Sequence, residues 1–432
     1  MVPNLALGLD GPGIRSDQAP LVAFREIERG LVSSPARAPI PKGFWTIWTT
    51  VALDLVGFGI VVPILAVYAE RFGASGLTVG LLFAAFSAAQ FVCAPLLGRL
   101  SDRVGRKPVI VISLLGTAVG SFVCGAANTL WLLFVGRILD GASGASLSVA
   151  QAAVGDMATP AERPRLMGLL GAAFGVGFVI GPAIGGLSTL GGPHVPFYVA
   201  GAIALANAVA AMVRLPETRA EVATDATDPA PRGRRRAITP ELRQLAIIGF
   251  ITTMAFTAFE STFGLLGRHR FGFGERGSAF VFLGIGLFLV VIQGVLYGRL
   301  ASRFGVSRLF VSGVALLVVA LTTMAFAYVW PMLIVACALL TLGQGVASPS
   351  VSTLVSQIAP PARRGEAMGY QLASYAVGRI VGPPLAGWMF DHAGIWSPYV
   401  GAAGLCAIAV VLVLKLGLHR GPQVTQVTVS SA

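Results

Sequence analysis

Apolar residues along this chain fall in twelve long stretches separated by polar connections. The stretches cover 45–68, 76–98, 108–126, 129–154, 166–188 and 195–214, then 244–267, 277–299, 308–326, 330–356, 365–390 and 395–418. Each is near the ~20 residues that an α-helix needs to cross ~30 Å of hydrocarbon. The pattern predicts an all-α membrane protein of twelve transmembrane helices. Residues 1–43 mix Pro, Gly, Arg and acidic residues without apolar periodicity, which reads as a disordered cytoplasmic tail and not as a cleaved signal peptide. Residues 215–243 are polar and basic and read as a cytoplasmic linker, and 419–432 as a cytoplasmic tail. That leaves one six-helix bundle over 44–214 and another over 244–418. Within the linker, Thr239-Pro240-Glu241 has the form of a helix start: Thr caps, Pro suits the first position and Glu favours the positive end.

The two halves repeat one another. Gly98-Arg-Leu-Ser-Asp-Arg-Val-Gly-Arg-Lys107 returns about 200 residues later, in degraded form, as Gly298-Arg-Leu-Ala-Ser-Arg-Phe-Gly-Val-Ser-Arg308. A similar offset relates Gly181-Pro-Ala-Ile-Gly-Gly186 to Gly382-Pro-Pro-Leu-Ala-Gly387, and Pro160–Gly168 to Pro361–Gly369. Two like-oriented halves imply a pathway at their interface, opened by rocking one against the other.

Charge supplies the orientation. Only 12% of residues are charged, about half the fraction of a soluble domain. The net charge of +12 comes largely from cations in alternate connections, which carry about 25 of the 31 Lys and Arg. That asymmetry places both termini in the cytoplasm of a cell whose inner (plasma) membrane holds the chain. It also makes Arg232-Gly-Arg-Arg-Arg236 a membrane-side loop, with the lipid bilayer as its partner and no nucleic acid. Arg268, Arg270 and Arg276 run against the rule. Trp131, Trp330, Trp388 and Trp396 at one set of ends, and Trp45 and Trp48 at the other, suit aromatic belts. The four cysteines have no metal or disulfide spacing, the four histidines lie in connections or near segment ends, and no cofactor is implied.

In the 98–107 loop, Gly98 and Gly105 allow a tight turn, and Asp102 sits among Arg103, Arg106 and Lys107. An acidic group there can cap a neighbouring helix or bridge to an arginine, holding two helices together in one state. A plain basic topogenic loop is the simpler alternative. Gly171, Gly175, Gly181, Gly185 and Gly186 make a smooth stripe on the fifth segment, and Pro182 frees a carbonyl and bends it.

These motifs resemble the major facilitator superfamily, specifically its twelve-helix drug:proton antiporters with tetracycline-efflux-like proteins as near relatives. The loop signature G-x-L-x-D-R-x-G-R-K is matched at Gly98, Leu100, Asp102, Arg103, Gly105, Arg106 and Lys107. The second copy keeps Gly298, Leu300, Arg303, Gly305 and Arg308, with Ser302 at the acidic position. The fifth segment resembles the G-x-x-x-G-P-x-x-G-G signature of exporters. Asp54-Leu-Val-Gly-Phe-Gly-Ile-Val-Val-Pro63 resembles the D-x-x-G-x-G-x-x-x-P pattern of the same antiporters. The resemblance covers about residues 45–418 and implies two pseudo-symmetric six-helix bundles.

Charges within apolar segments are costly, so each is a candidate for function. Asp54 suits taking up and releasing a proton, or a structural hydrogen bond. Arg137 and Asp140 share a helix face. Arg137 matches the R-x-x-x-G-x-x-G arginine that the resemblance implies in proton coupling, and Asp140 departs from the common pattern, so the pair is also readable as structural. Glu260, among Phe256, Phe259 and Phe263, suits contact with a substrate cation or a solvated place near the outer mouth. Gln90 and Gln344 suit a polar cavity lining or interhelical contact, and Arg379 a partner carboxylate across the halves.

Among function classes, Gly141-Ala-Ser143-Gly144 spells a rhomboid-protease motif, but no histidine base lies inside a predicted span. No G-x-x-x-x-G-K-[ST] loop supports ATP-driven transport. The reading is a non-enzymatic, proton-coupled secondary transporter exporting small amphiphilic compounds as a monomer. An uptake symporter for a small metabolite is the alternative.

Overall fold

The computed structural model describes residues 40–159, 162–218, 239–360 and 364–415. Most of the N-terminal tail, the basic run Arg232–Arg236, Arg363 and the tail 419–432 lie outside the described residues. No strand occurs among those described. The helices are α1 Phe44–Glu70, α2 Gly76–Val104, α3 Arg106–Gly125, α4 Leu130–Ser143, α5 Ser146–Met157, α6 Arg163–Ser188 and α7 Val195–Arg214. They continue with α8 Pro240–Phe271, α9 Glu275–Val291, α10 Tyr297–Phe304, α11 Val306–Ala325, α12 Trp330–Ile358, α13 Arg364–Ala393 and α14 Ser397–Lys415.

α4 and α5 together form the fourth predicted span, and α9, a π turn over Ile292–Leu296 and α10 form the eighth. Among the described residues, eleven spans are long and apolar enough to cross a membrane. The remaining one, eleventh by position, is α13, which carries Glu366, Arg379 and Asp391 along its length. The starts follow local chemistry. Ser75 accepts from the Thr78 N–H and Thr129 from that of Leu132, while Thr239, with Pro240 behind it, accepts from that of Leu242. Gly105 (φ 106°) and Gly305 (φ 82°) make one-residue joints, α2 to α3 and α10 to α11, at a backbone angle that disfavours any Cβ.

The first bundle is built on α1, which packs on α6 and α7, while α3 packs on α4 and α7. The second is built on α8 against α13 and α14, with α11 on α12 and α14. The bundles meet along α2–α13, α6–α9 and α1–α8. Small residues permit this approach. A Cβ on Gly80 would strike the Pro383 main chain, one on Gly387 that of Gly76, and one on Gly286 that of Phe178.

These contacts gather at the end of the molecule away from the 98–107 loop, here called the far end. Polar clasps join the bundles there too. Arg71 pairs with Glu275 at 2.6 Å and Arg268 with Glu70 at 3.3 Å. The Asp391 carboxylate accepts from the N–H groups of Gly76 (2.7 Å) and Leu77 (2.8 Å), capping α2 from the opposite bundle. Toward the loop end the bundles part. None of the residues Phe91–Leu100, Gln293–Phe304 or Arg364–Tyr370 is buried. The molecule is closed at the far end and cleft at the loop end.

Two of the three cations that ran against the charge rule, Arg268 and Arg270, have local partners. Besides the Arg268–Glu70 pair, Arg270 donates to the carbonyls of Ala325 and Ala327 and lies 4.4 Å from the Tyr328 ring. They hold the far end together, which explains why they depart from a pattern set by lipid.

Candidate functional site

A small cavity lies between the bundles. Phe58, Phe83, Phe86, Ser87 and Arg137 line it from the first bundle, and Thr257, Glu260, Arg379 and Pro383 from the second. At about 10 Å³ it has room for roughly one water. Three of these residues, Arg137, Glu260 and Arg379, stood out in the sequence as charges inside apolar segments.

Arg137 is 1% exposed. Its terminal NH1 group donates to Asp140 at 3.0 Å, one turn along α4, and its guanidinium lies 4.2 Å from the Phe86 ring centroid. Its Nε is buried with no hydrogen-bond partner. A guanidinium carries five N–H donors and cannot readily shed its charge, so an ion pair and an aromatic face are what make such burial tolerable. Arg379 reaches in from the middle of α13 and lies 5.6 Å from the Phe58 ring of the other bundle. Glu260, also buried, faces the same space from α8. It forms no ion pair within 4.0 Å among the described residues, although Arg379 and Arg137 are both within electrostatic reach.

Asp54 lies elsewhere. It does not line the cavity; it accepts a hydrogen bond from the Ser146 hydroxyl at the start of α5. That position joins α1 to the break between α4 and α5. Gln90 is engaged at the same break, donating to the Gly144 carbonyl at 2.9 Å, which the interruption of the helix leaves without its usual partner. Gln344 lies on α12 outside the cavity lining, with its carbonyl oxygen buried and unpartnered.

The glycine stripe divides its work between two neighbours. Gly177, Gly181 and Gly185 face α1 at Leu55, Gly59 and Ile60, while Gly175 and Gly186 face α9 at Val290 and Ala279. Gly171 meets nothing within 4 Å. Pro182 lies inside the unbroken α6.

In the 98–107 loop Asp102 pairs with Arg106 at 2.5 Å, and Arg106 also reaches Asp156 at 2.9 Å, tying α3 to the end of α5. The Ser101 hydroxyl accepts from Arg106 as well. The expected helix cap exists, but another residue makes it. Glu217 accepts from the N–H groups of Arg106 (2.9 Å) and Lys107 (3.2 Å) at the start of α3. In the second copy Ser302 donates only to the Arg299 carbonyl of its own turn.

Sequence reasoning missed Glu217, Asp156, Asp391 and the aromatic walls Phe58, Phe83 and Phe86. Of these, only Glu217 had an available signal: it falls just beyond a predicted span, among basic residues.

A sequence profile of the Major Facilitator Superfamily matches residues 47–296 and 279–429. The chain belongs to this superfamily. It is a multi-pass membrane protein with a transporter fold. The class B tetracycline resistance protein of Escherichia coli is 28% identical over 383 residues, covering 86% of this chain and 94% of that protein. Multidrug resistance protein 1 of Bacillus subtilis (strain 168) is 31% identical over 370 residues, covering 85% and 94%. Among solved structures, the human organic anion transporter MFSD10 (TETRAN) superposes with a TM-score of 0.66 at 26% identity, covering 86% of this chain and 98% of that one.

Proposed function

We propose that this chain is a proton-coupled exporter of small amphiphilic compounds that works by alternating access. The observation that carries the reading is the placement of buried charge. Arg137, Glu260 and Arg379 face one cavity from both bundles, where the cleft meets the closed far end. Membrane-embedded charges at such a seam are expensive to keep and mark substrate and ion pathways. The tetracycline and multidrug resistance proteins among its relatives support export over uptake.

In this reading the loop end faces the cytoplasm of a plasma membrane, and a monomer suffices. Residues 44–214 and 244–418 are the two rocking bundles, joined by the linker 215–243. Asp54 carries the proton. When ionised it holds Ser146 and so fixes α1 to α5; when protonated it loosens that contact. Arg137, held by Asp140, adjusts the release electrostatically. Glu260 and Arg379 meet substrate, and Gln90 braces the break between α4 and α5. The Asp102–Arg106–Asp156 network and its neighbours Gly98, Arg103, Gly105 and Lys107 govern switching at the loop end. The glycines of α6, with Pro182, pack α1 within the first bundle and give α9 of the second a surface on which to move.

The test is proton release from acidified everted vesicles containing the protein, challenged with drugs, dyes, sugars and amino acids. Collapse of the acid interior on adding amphiphilic drugs, absent in Asp54→Asn, is the expected result. A response confined to sugars or amino acids, or normal proton-coupled transport by Asp54→Asn, would overturn the respective part of the reading.

A further inference from the structure

The central cavity holds guanidinium donors that its own residues do not satisfy. Arg137 spends one terminal nitrogen on Asp140 and leaves its buried Nε without an acceptor. Arg379, half-buried, makes no hydrogen bond or ion pair among the described residues, and its guanidinium lies 5.6 Å from the Phe58 ring centroid. The single carboxylate in the lining, Glu260, stands more than 4.0 Å from both guanidiniums. A buried guanidinium without an acceptor is costly, and the group that best satisfies it is a planar oxyanion taken by two parallel N–H bonds. The walls beside these arginines are the rings of Phe58 and Phe86, which fit a flat aromatic body.

We propose that this cavity reads a carboxylate on an aromatic amphiphile, that Arg379 is the residue that binds it, and that carboxylate-bearing substrates are preferred over their uncharged-ester counterparts. The cavity described above, with room for about one water, is the collapsed form of the site. The ligand enters as Arg379 and Phe58 part, and its carboxylate replaces Phe58 as the partner of Arg379. Glu260, on the opposite wall, meets a donor or cation on the same molecule, so the site suits zwitterions and disfavours simple monocations. This deepens the exporter reading and rests on it for the statement that the ligand is also cargo.

The test uses two dyes with one ring system: rhodamine 110, which carries a free carboxylate, and rhodamine 123, its methyl ester. Binding to the detergent-purified full-length protein is followed by fluorescence polarisation without any gradient. The wild type is expected to bind the carboxylate dye about 10-fold or more tightly than the ester, as a charge-assisted pair in a buried site implies. Arg379→Ala should abolish the preference by weakening the carboxylate dye alone. Arg379→Lys, which keeps the charge but not the planar fork, should recover part of it. Glu260→Gln should leave the preference in place. Equal affinity of the wild type for both dyes, equal weakening of both by Arg379→Ala, or loss of preference in Glu260→Gln would each overturn the assignment. Transport in acidified everted vesicles separates this from the exporter reading. Preference in binding with no proton-driven efflux keeps the site and rejects the exporter, and efflux of both dyes without preference does the reverse.

Discussion

Asp391 offers the sharpest test of how the far end is held shut. Its two carboxylate oxygens accept from the first backbone N–H groups of α2, at 2.7 and 2.8 Å, although it belongs to the other bundle. Those N–H groups have no partner within their own helix, and they carry the positive end of its dipole. Asp391→Ala removes both acceptors at once. Losing a capping side chain costs about 1 kcal/mol, and losing hydrogen bonds to a charged acceptor up to about 3 kcal/mol where burial is complete. Asp391 is exposed, so water replaces part of the loss, leaving about 1–2 kcal/mol. Because the contact exists only while the bundles touch, that energy favours the closed far end alone. The balance between closed and open forms should move about 5- to 30-fold. The assay is pulsed electron–electron distance measurement between spin labels at Leu190 and Tyr328, both well exposed near the far end, one on each bundle. Cys93, which is not buried, is changed to Ser to prevent stray labelling. The longer-distance population should rise in Asp391→Ala and by less in Asp391→Asn, which keeps an acceptor without the charge. An unchanged distribution in a folded variant would refute the reasoning.

Three further outcomes follow from the geometry. Gly181→Ala places a Cβ 2.6 Å from Gly59 Cα and should cost about 1–3 kcal/mol, whereas Gly171→Ala meets nothing; equal melting temperatures of the two purified variants would contradict this. Glu217→Ala should expose the first N–H groups of α3 at a cost of about 1 kcal/mol, read as faster amide hydrogen exchange at Arg106 and Lys107; unchanged protection there would show that the cap is not needed. Asp102→Ala should alter stability by less than about 1 kcal/mol, because the pair is partly exposed and Asp156 still holds Arg106, yet slow transport more than it weakens substrate binding; an unaltered transport rate argues against a switching role.

The helices were legible because spanning a membrane demands length and apolarity, and both can be counted along a sequence. The seventh stretch, predicted from 244, begins at Pro240 because its first turn holds Glu241 and Arg243, which no hydropathy window assigns to a span; the Thr-Pro-Glu start did locate it. The interruption at Gly144 and the π turn at Ile292 were not legible, since each lies inside a stretch long enough to read as one continuous span. In the site, Arg137, Glu260 and Arg379 stood out by charge alone. Phe58, Phe83 and Phe86 did not, because the chain has 25 phenylalanines and only the fold selects three. Asp54 was equally conspicuous, but its bond to Ser146, 92 positions away, depends on how α1 meets α5. Asp391 escaped notice for a related reason: a carboxylate at a helix end is ordinary until the tip of another helix is found against it.

The π turn bears on how the loop ends of the two copies stay alike. The span Gly76–Val104 has 29 residues and its counterpart Glu275–Phe304 has 30. In an unbroken α-helix one inserted residue would rotate everything beyond it by about 100° and advance it about 1.5 Å. Arg299, Arg303 and Gly305 would then leave the positions that Arg99, Arg103 and Gly105 hold in the first half. The wider turn over Ile292–Leu296 takes up the extra residue where it occurs. A one-residue difference that would turn the end of a straight helix is absorbed in its middle, and both spans still end on a glycine of positive φ.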